Sequence, residues 1–317
     1  MHDYLTRHAY KNTLTNDLWK ALGQSSNLPV EEMMSTWTEQ SGHPVLNVSA
    51  KKEGNRHTLT LTQERFTIDG ILDDEEKKAL WKIPISVVSS RSPVNPVLTT
   101  LMVTKSLEIP LDGLSPTDWV KINPKMLGFY RVNYSSDILE SLKPAIVNKE
   151  LGSVDRLQII SDLFSMVVAG RAQTVDFFKM LSCYMQEDNY VTWDAIDVCI
   201  GKLNLYLSYT DFQPLLHTFC SGLYSNIFLK LGFDPSPENN HTDNLLRMLV
   251  LGRLGFFGDE RMVTEAKKRF HDHCNAKSMP PDLRAAVYQA VAAFGSDEDF
   301  DKLFEVNRSI LLTNELN

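Results

Sequence analysis

"WVKINPKMLGFYRVNY", Trp119–Tyr134, is the stretch at which this 317-residue chain changes its hydropathy period. Toward its end apolar and polar residues alternate, with Phe129, Arg131 and Asn133 on one face and Tyr130, Val132 and Tyr134 on the other. A period of two sends successive side chains to opposite faces of a strand, and the pattern predicts a strand packed on both sides. Upstream, "VLNVSA" (Val45–Ala50), "HTLTLTQERF" (His57–Phe66), "KIPISVVSS" (Lys82–Ser90) and "LMVTKSLEIPL" (Leu101–Leu111) alternate in the same way. In "HTLTLTQERF" the leucines point one way and the threonines the other, as on a strand with one wet face. No helical stretch interrupts Val45 to Tyr134, and Pro and Gly turns separate the strands. A small β-sandwich over residues 44–134 is expected.

From Ser135 onward the period becomes helical. "VDRLQIISDLFSMVVAGRA", "TVDFFKMLSCYMQED" and "NLLRMLVLGRLGFFGD" belong to a succession of amphipathic or buried helices joined by short loops. Thr174, Thr242 and Ser296 mark starts, the last with a capping-box spacing, and Gly170, Gly232 and Gly295 mark stops. Paired helices over residues 135–317 fit a bundle or a HEAT/armadillo-like superhelix. No sequence period repeats cleanly, so the solenoid rests on helix pairing alone. Residues 1–43 are helical too, with Thr15 in the N-cap position and Asp17 in the first turn. The fold class expected is therefore a multidomain α+β chain: N-terminal helices, a small β-sandwich, then an all-α array.

Composition narrows the function. A net charge of -8 argues against a phosphate-binding surface, and no nucleic-acid partner is expected. No apolar run reaches the roughly 20 residues of a bilayer span; "LLRMLVLGRLGFF" is broken by Arg247 and Arg253 and reads as a core helix. Cys183, Cys199, Cys220 and Cys274 have no paired spacing, which favours buried thiols over a disulfide framework and a cytoplasmic address. Sequons at Asn47, Asn133, Asn240 and Asn307 occur about as often as chance provides.

Chemistry is hard to place. None of the eight histidines lies in His-Glu-x-x-His, which sets two metal ligands one turn apart with a base between. "HDHC" brings His271 and Cys274 to one helix face but leaves His273 well round from both, so a polar helix end is the expectation. There is no Gly-x-Ser-x-Gly elbow and no phosphate loop. The carboxylates of "DDEE" (Asp73–Glu76) and "DEDFD" (Asp297–Asp301) read as solvated charges, since acid/base work needs a desolvated cleft. No catalytic, cofactor-binding or metal residue is assigned.

"YLTRHAYKNTLTNDLWKAL" and "VEEMMSTWTEQSGHPVLNV" resemble the end of the catalytic domain in zinc aminopeptidases of the gluzincin class. "NPKMLGFYRVNY" is similar to the last strand of that family's β-sandwich. "DRLQIISDLFSMVVAG" and "NLLRMLVLGRLGFFGDERMVTEAKKRF" are similar to its C-terminal helices, and the wording is nearest to the puromycin-sensitive branch. The resemblance runs to about Phe304; "VNRSILLTNELN" departs from it. It implies that residues 1–43 are a remnant of a catalytic domain, 44–134 a β-sandwich, and 135–317 a truncated helical superhelix that walls a peptide chamber. The zinc ligands, the Gly-x-Met-Glu-Asn motif and the catalytic Tyr of the family match nothing here, so no site residue carries over. The chain is expected to be inactive alone, zinc belonging to the parent enzyme only. Peptides bound weakly, or a full-length aminopeptidase, are the expected partners; a stand-alone binding scaffold is the alternative. Leu18, Trp19, Leu22, Met33, Met34 and Trp37 are expected to form an orphaned apolar face whose removal with residues 1–43 improves behaviour.

Overall fold

The computed structural model describes residues 1–54, 56–275 and 277–314, so the last three residues of the expected helical region lie outside the described residues. The chain divides into two compact units, Met1–Met180 and Leu181–Asn317. Its architecture is mixed α+β: N-terminal helices, two small sheets, then a run of helices.

The first unit opens with α1 (His2–Arg7), α2 (Thr15–Ser26) and α3 (Val30–Thr38). Helix α2 begins one residue away from the expected cap: Leu14 is the capping residue, and its amide donates to Asp17 Oδ2 at 2.9 Å. The expected orphaned face is partly covered. Leu18, Trp19, Leu22, Met33, Met34 and Trp37 are all half-buried. The Trp37 indole donates to the Lys82 carbonyl at 3.0 Å and its ring lies 6.4 Å from that of the fully buried Trp81. The Lys82 amide donates in turn to Thr36 Oγ1 at 3.1 Å, and Gln40 Nε2 to the Leu80 carbonyl at 2.9 Å. Two hydrogen bonds and an aromatic contact from α3, and a third hydrogen bond from Gln40 just after it, tie this helix to the chain ahead of the second sheet.

Strands β1 (Pro44–Glu53) and β2 (Arg56–Arg65) form an antiparallel hairpin. With β5 (Ser106–Asp112) outside β2, and β7 (Arg131–Tyr134) parallel to β1, they give a four-stranded sheet of order β5-β2-β1-β7. The other sheet is β4-β3-β6, from β3 (Ile83–Ser89), β4 (Leu98–Met102) and β6 (Val120–Ile122). The leucine/threonine reading of β2 holds: Leu59 and Leu61 are fully buried, Thr58 and Thr60 half-buried, Thr62 exposed. Gln63 shares the leucine face and is buried because both ends of its amide are used. Its Nε2 donates to the Trp81 and Thr104 carbonyls, its Oε1 accepts from the Trp81 amide, each at 2.9 Å.

Residues 119–134 are two strands. Between β6 and β7 the chain turns through Asn123, Lys125 and Met126, all with left-handed φ (60°, 59° and 55°). Such values disfavour non-glycine residues and persist where surroundings over-determine them. Asn123 does so here: its Nδ2 donates to the Gly128 carbonyl (2.9 Å) and its Oδ1 accepts from the Gly128 amide (2.7 Å). Residue 128 must be glycine, since a Cβ there would stand 2.2 Å from the Tyr130 ring. The expectation of a strand packed on both sides gives way accordingly. Tyr130, Val132 and Tyr134 are buried and Arg131 and Asn133 half-buried, whereas Phe129, ahead of the strand, is 75% exposed.

Helices α4 (Ser136–Val147), α5 (Ser153–Val168) and α6 (Thr174–Leu181) follow. The second unit holds α7 (Tyr190–Tyr206), α8 (Gln213–Leu231), α9 (His241–Phe257), α10 (Glu260–Cys274), α11 (Pro281–Phe294) and α12 (Asp297–Asn314). Helix α9 is capped by Asn240 rather than Thr242: Asn240 Oδ1 accepts from the Asp243 amide and the Thr242 hydroxyl. Ser296 caps α12 as expected, its Oγ accepting from the Asp299 amide. The Trp193 and Tyr224 rings, 4.7 Å apart and both fully buried, sit in this unit's core.

Because α3 is bonded to residues 80–82, Trp37→Ala should lower the unfolding free energy by about 2 kcal/mol, read from the denaturant midpoint at constant m. Removing residues 1–43 should likewise lower the thermal midpoint. A shortened chain that melts at or above the full-length value would contradict the docking of α3.

Candidate functional site

Helix α5 is apolar on most of its surface, with Ile159, Ile160, Leu163, Phe164 and Met166 buried. Asp155, Gln158 and Asp162 interrupt this at i, i+3 and i+7, a spacing that puts them on one face. All three are buried. Opposite stands Lys121 of β6, with no solvent exposure at all. Its Nζ lies 2.9 Å from Asp155 Oδ1 and donates to Gln158 Oε1 (2.7 Å), the Asn123 carbonyl (3.0 Å) and the Ile122 carbonyl (3.1 Å). Asp155 Oδ1 also accepts from the Lys125 amide at 2.7 Å, helping to hold the left-handed turn. Two turns beyond Asp155 on α5, Asp162 accepts from Arg131 Nη1 through Oδ1 and from the Val132 amide through Oδ2, both at 3.0 Å. The Tyr134 hydroxyl closes the cluster, accepting from the Ile122 amide and donating to its carbonyl.

Burial pulls the Lys121 ammonium below the ordinary lysine range, and Asp155 opposes that pull. The Asp162 carboxyl is pushed up to about 6, by burial first, with the Arg131 charge and the Val132 amide acting the other way. A cavity of about 310 Å³ adjoins the pair, lined among others by His43, Met126, Leu127, Phe129, Arg131 and Asp162. The His43 ring lies between those of Phe66 and Phe129, 5.4 Å from each, and the Arg131 guanidinium sits 5.0 Å over Phe66. Burial, then Arg131, lowers the His43 pKa. Both oxygens of Asp162 accept hydrogen bonds, from Arg131 and the Val132 amide, and His43 is a second titratable side chain in the lining.

In the second unit an open groove of about 760 Å³ is lined by His217, Thr218, Ser221, Ser225, Phe257 and Arg261 among others. His217 pairs through Nε2 with Asn204 Oδ1 (2.8 Å) and lies against Phe257 and Phe256. Ser225 Oγ donates to the Ser221 carbonyl and accepts from Arg261 Nη2. His217 and Ser225 thus have separate partners, and these hydrogen bonds set no base against the Ser225 hydroxyl. The groove can hydrogen-bond and stack on a ligand.

The residues weighed from sequence are dispersed. His271 pairs with Asp299 (2.5 Å) and His273 Nδ1 contacts the Lys277 carbonyl. Among the described residues no three His, Cys, Asp or Glu side chains form a group able to hold a metal ion. Cys199 and Cys220 are buried on α7 and α8, and burial pushes the Cys220 thiol up to about 12. Asp73 and Glu76 cap each other's amides. Asp299 is held down to about 2 by the Ser296 amide and then by His271. Sequence reasoning missed Lys121, Asp155, Gln158 and Asp162. The polar stripe on α5 is visible in the sequence, but Asp and Gln on one helix face ordinarily mark a solvated side, so it gave no sign of burial. No helix among the described residues is long and apolar enough to cross a membrane.

A family model described as ERAP1-like C-terminal domain matches residues 119–314, which includes the segment past Phe304 where the sequence resemblance was expected to lapse. Puromycin-sensitive aminopeptidase of Caenorhabditis elegans is 34% identical over 310 residues, 96% of this chain and 32% of that protein. Aminopeptidase M1 of Arabidopsis thaliana is 32% identical over 98% of this chain and 37% of its own length. Glutamyl aminopeptidase of Homo sapiens is 29% identical over 90% and 30%. The chain spans about a third of the length of these curated relatives.

Two outcomes test the buried cluster. Lys121→Ala leaves Asp155 facing a dry interior and should cost about 3–5 kcal/mol, whereas Lys121→Ala with Asp155→Asn should cost less than the two changes summed. For Asp162 the folded pKa of about 6 lies above the ordinary 3.8. Its contribution is therefore present below about pH 4 and lost as pH rises through 6. Asn at this position does not titrate, so the destabilisation caused by Asp162→Asn should shrink between pH 4 and pH 7 in urea melts. Destabilisation that grows over that range would reverse the assignment.

Proposed function

Since the chain belongs to the family of ERAP1-like C-terminal domains of M1 aminopeptidases, we propose that it is the non-catalytic C-terminal portion of a puromycin-sensitive-type zinc aminopeptidase. In this reading it walls the chamber where N-terminal residues are removed from peptides, and is inactive by itself. The family match over 119–314 carries the proposal. Support for inactivity is chemical: the sequence lacks His-Glu-x-x-His, and without three fixed ligands and an open position no zinc-bound water is brought near neutral pKa.

The finer architecture follows the same reading. The two sheets form the β-sandwich of residues 44–134; the fully buried Leu59 and Leu61 of one sheet and Ile83, Ile85 and Val87 of the other support it. Helices α7 to α12 form a HEAT/armadillo-like superhelix. In support, α8 packs on α9, α10 on α9 and α11, and α11 on α9 and α12, which is near-neighbour packing. Residues 1–43 are the closing helices of a catalytic domain, and the address is cytoplasmic.

Peptides are the ligand proposed for the groove lined by Thr218, Ser221, Phe257 and Arg261. Few fixed contacts offset the freedom lost on association, so affinity no better than about the high micromolar range is expected. A stand-alone protein-binding scaffold, including one that pairs with a full-length aminopeptidase, is the second reading. It draws on Leu205, Tyr206, Tyr209, Phe212 and Leu215, all more than half exposed around the α7–α8 turn.

The chain with added zinc should release nothing from an aminoacyl reporter; stoichiometric tight zinc with turnover would overturn the reading. Titrating the isotope-labelled chain with mixed ten-residue peptides should shift resonances of α8 and the α9–α10 turn. An unshifted spectrum at millimolar peptide would remove the peptide ligand and leave the scaffold.

A further inference from the structure

Sheet edges expose unpaired backbone donors and acceptors, and folded proteins normally blunt them with charge, proline or cover. Among the described residues there are four edge strands, and three are blunted. Strand β5 carries Pro110, Glu108 and Asp112. Strand β6 is three residues long and packs under α4, and β7 packs on α5. Strand β4 (Leu98–Met102) has β3 on one side and no strand on the other among the described residues. Its sequence, "LTTLM", holds neither charge nor proline.

The surroundings are equally free of charge, though Pro93 and Pro96 precede the strand. "PVNPVLTTLMVT", residues 93–104, contains no charged residue in a chain that is 23% charged. Val94, Val97 and Val103 are 65%, 42% and 46% exposed, and Thr99 is exposed. β-Branched and apolar residues of this kind favour strand pairing.

The strand can be paired with a second copy of itself in a register that keeps its apolar ends together. An antiparallel pair with a two-fold axis normal to the sheet must pair residues of equal parity. Centred on Thr100, it sets Thr100 against Thr100, Thr99 against Leu101, and Leu98 against Met102 of the second copy. Leu98, Thr100 and Met102 sit opposite Val87, Ile85 and Ile83 in register, so the apolar pair Leu98–Met102 lies on the buried side of the sheet. A surface that is its own complement is what a two-fold interface needs. Each chain carries a net charge of -8, and an uncharged edge is where two such chains approach with least repulsion.

We propose that β4 is a self-association edge: two copies pair antiparallel through Leu98–Met102, joining their three-stranded sheets into one of six strands. A five-residue strand per copy covers less than the roughly 1,200 Å² of a stable interface. The dimer is therefore weak, with dissociation in about the tens to hundreds of micromolar. Because net repulsion opposes it and no ion pair supports it, added salt strengthens it.

Sedimentation of the full chain from about 1 to 300 micromolar should show mass rising toward the dimer, more steeply in high salt. Thr99→Lys with Leu101→Lys should hold the protein monomeric at an unchanged thermal midpoint. Thr99→Lys alone and Leu101→Glu alone should each be weakened, and their mixture should recover association, since the register sets these positions against each other. Mass independent of concentration, or association undiminished by the double lysine variant, overturns the proposal. Binding of a Val97–Val103 peptide to a chain that never dimerises would overturn it too, and assign the edge to a foreign strand.

Discussion

A lysine ammonium with no exposed surface must be surrounded by acceptors, and Lys121 collects them from three places at once. Strand β6 supplies the Ile122 carbonyl, the turn after it the Asn123 carbonyl, and α5 the side chains of Asp155 and Gln158. The geometry therefore fixes β6, the left-handed turn after it and α5 as one piece. Asp162 repeats the arrangement two turns beyond Asp155, taking the Arg131 guanidinium and a backbone amide of β7. Buried pairs of this sort add little over well-packed apolar residues, but they punish misplacement. Their contribution here is orientation: two strands and a helix have one register in which every charge is satisfied.

The elements that follow simple periodicity were legible in the sequence. The leucine face of β2, the glycine stops and the Ser296 cap all appear where residue types place them. The displaced caps, Leu14 one residue before Thr15 and Asn240 two before Thr242, arise because several residue types compete for a cap and the backbone decides between them. The buried cluster was not legible for a different reason. Alternation in "WVKIN" assigns Lys121 to a wet face, and nothing local reveals that a helix more than thirty residues on will cover it. Long-range burial of a charge overrides a short-range pattern. The break at Asn123–Met126 was hidden likewise, since those left-handed angles are imposed by the Asn123 and Asp155 side chains rather than by glycine.

The family match begins at Trp119, ahead of the place where the period changes from two to helical. Lys121, Arg131, Asp155 and Asp162 all fall inside it. Strands β6 and β7 thus travel with the helices as a matched segment, although each is hydrogen-bonded into a sheet whose other members precede residue 119. Periodicity divides the chain by secondary structure; the charge pairs divide it by what must be kept together.

The parallel pairing of β1 with β7 has a temporal side. Asn47 and Asn133, joined across these strands at 2.8 Å, are 86 positions apart. At synthesis rates of about 5–20 residues per second, the ribosome needs roughly 4–17 seconds to supply the second strand after the first. Through that interval Val45–Val48 has β2 on one flank and nothing on the other. The four-stranded sheet is completed by a late arrival, and a nascent chain of this protein is open to wrong pairing longest at the strand that ends up most enclosed.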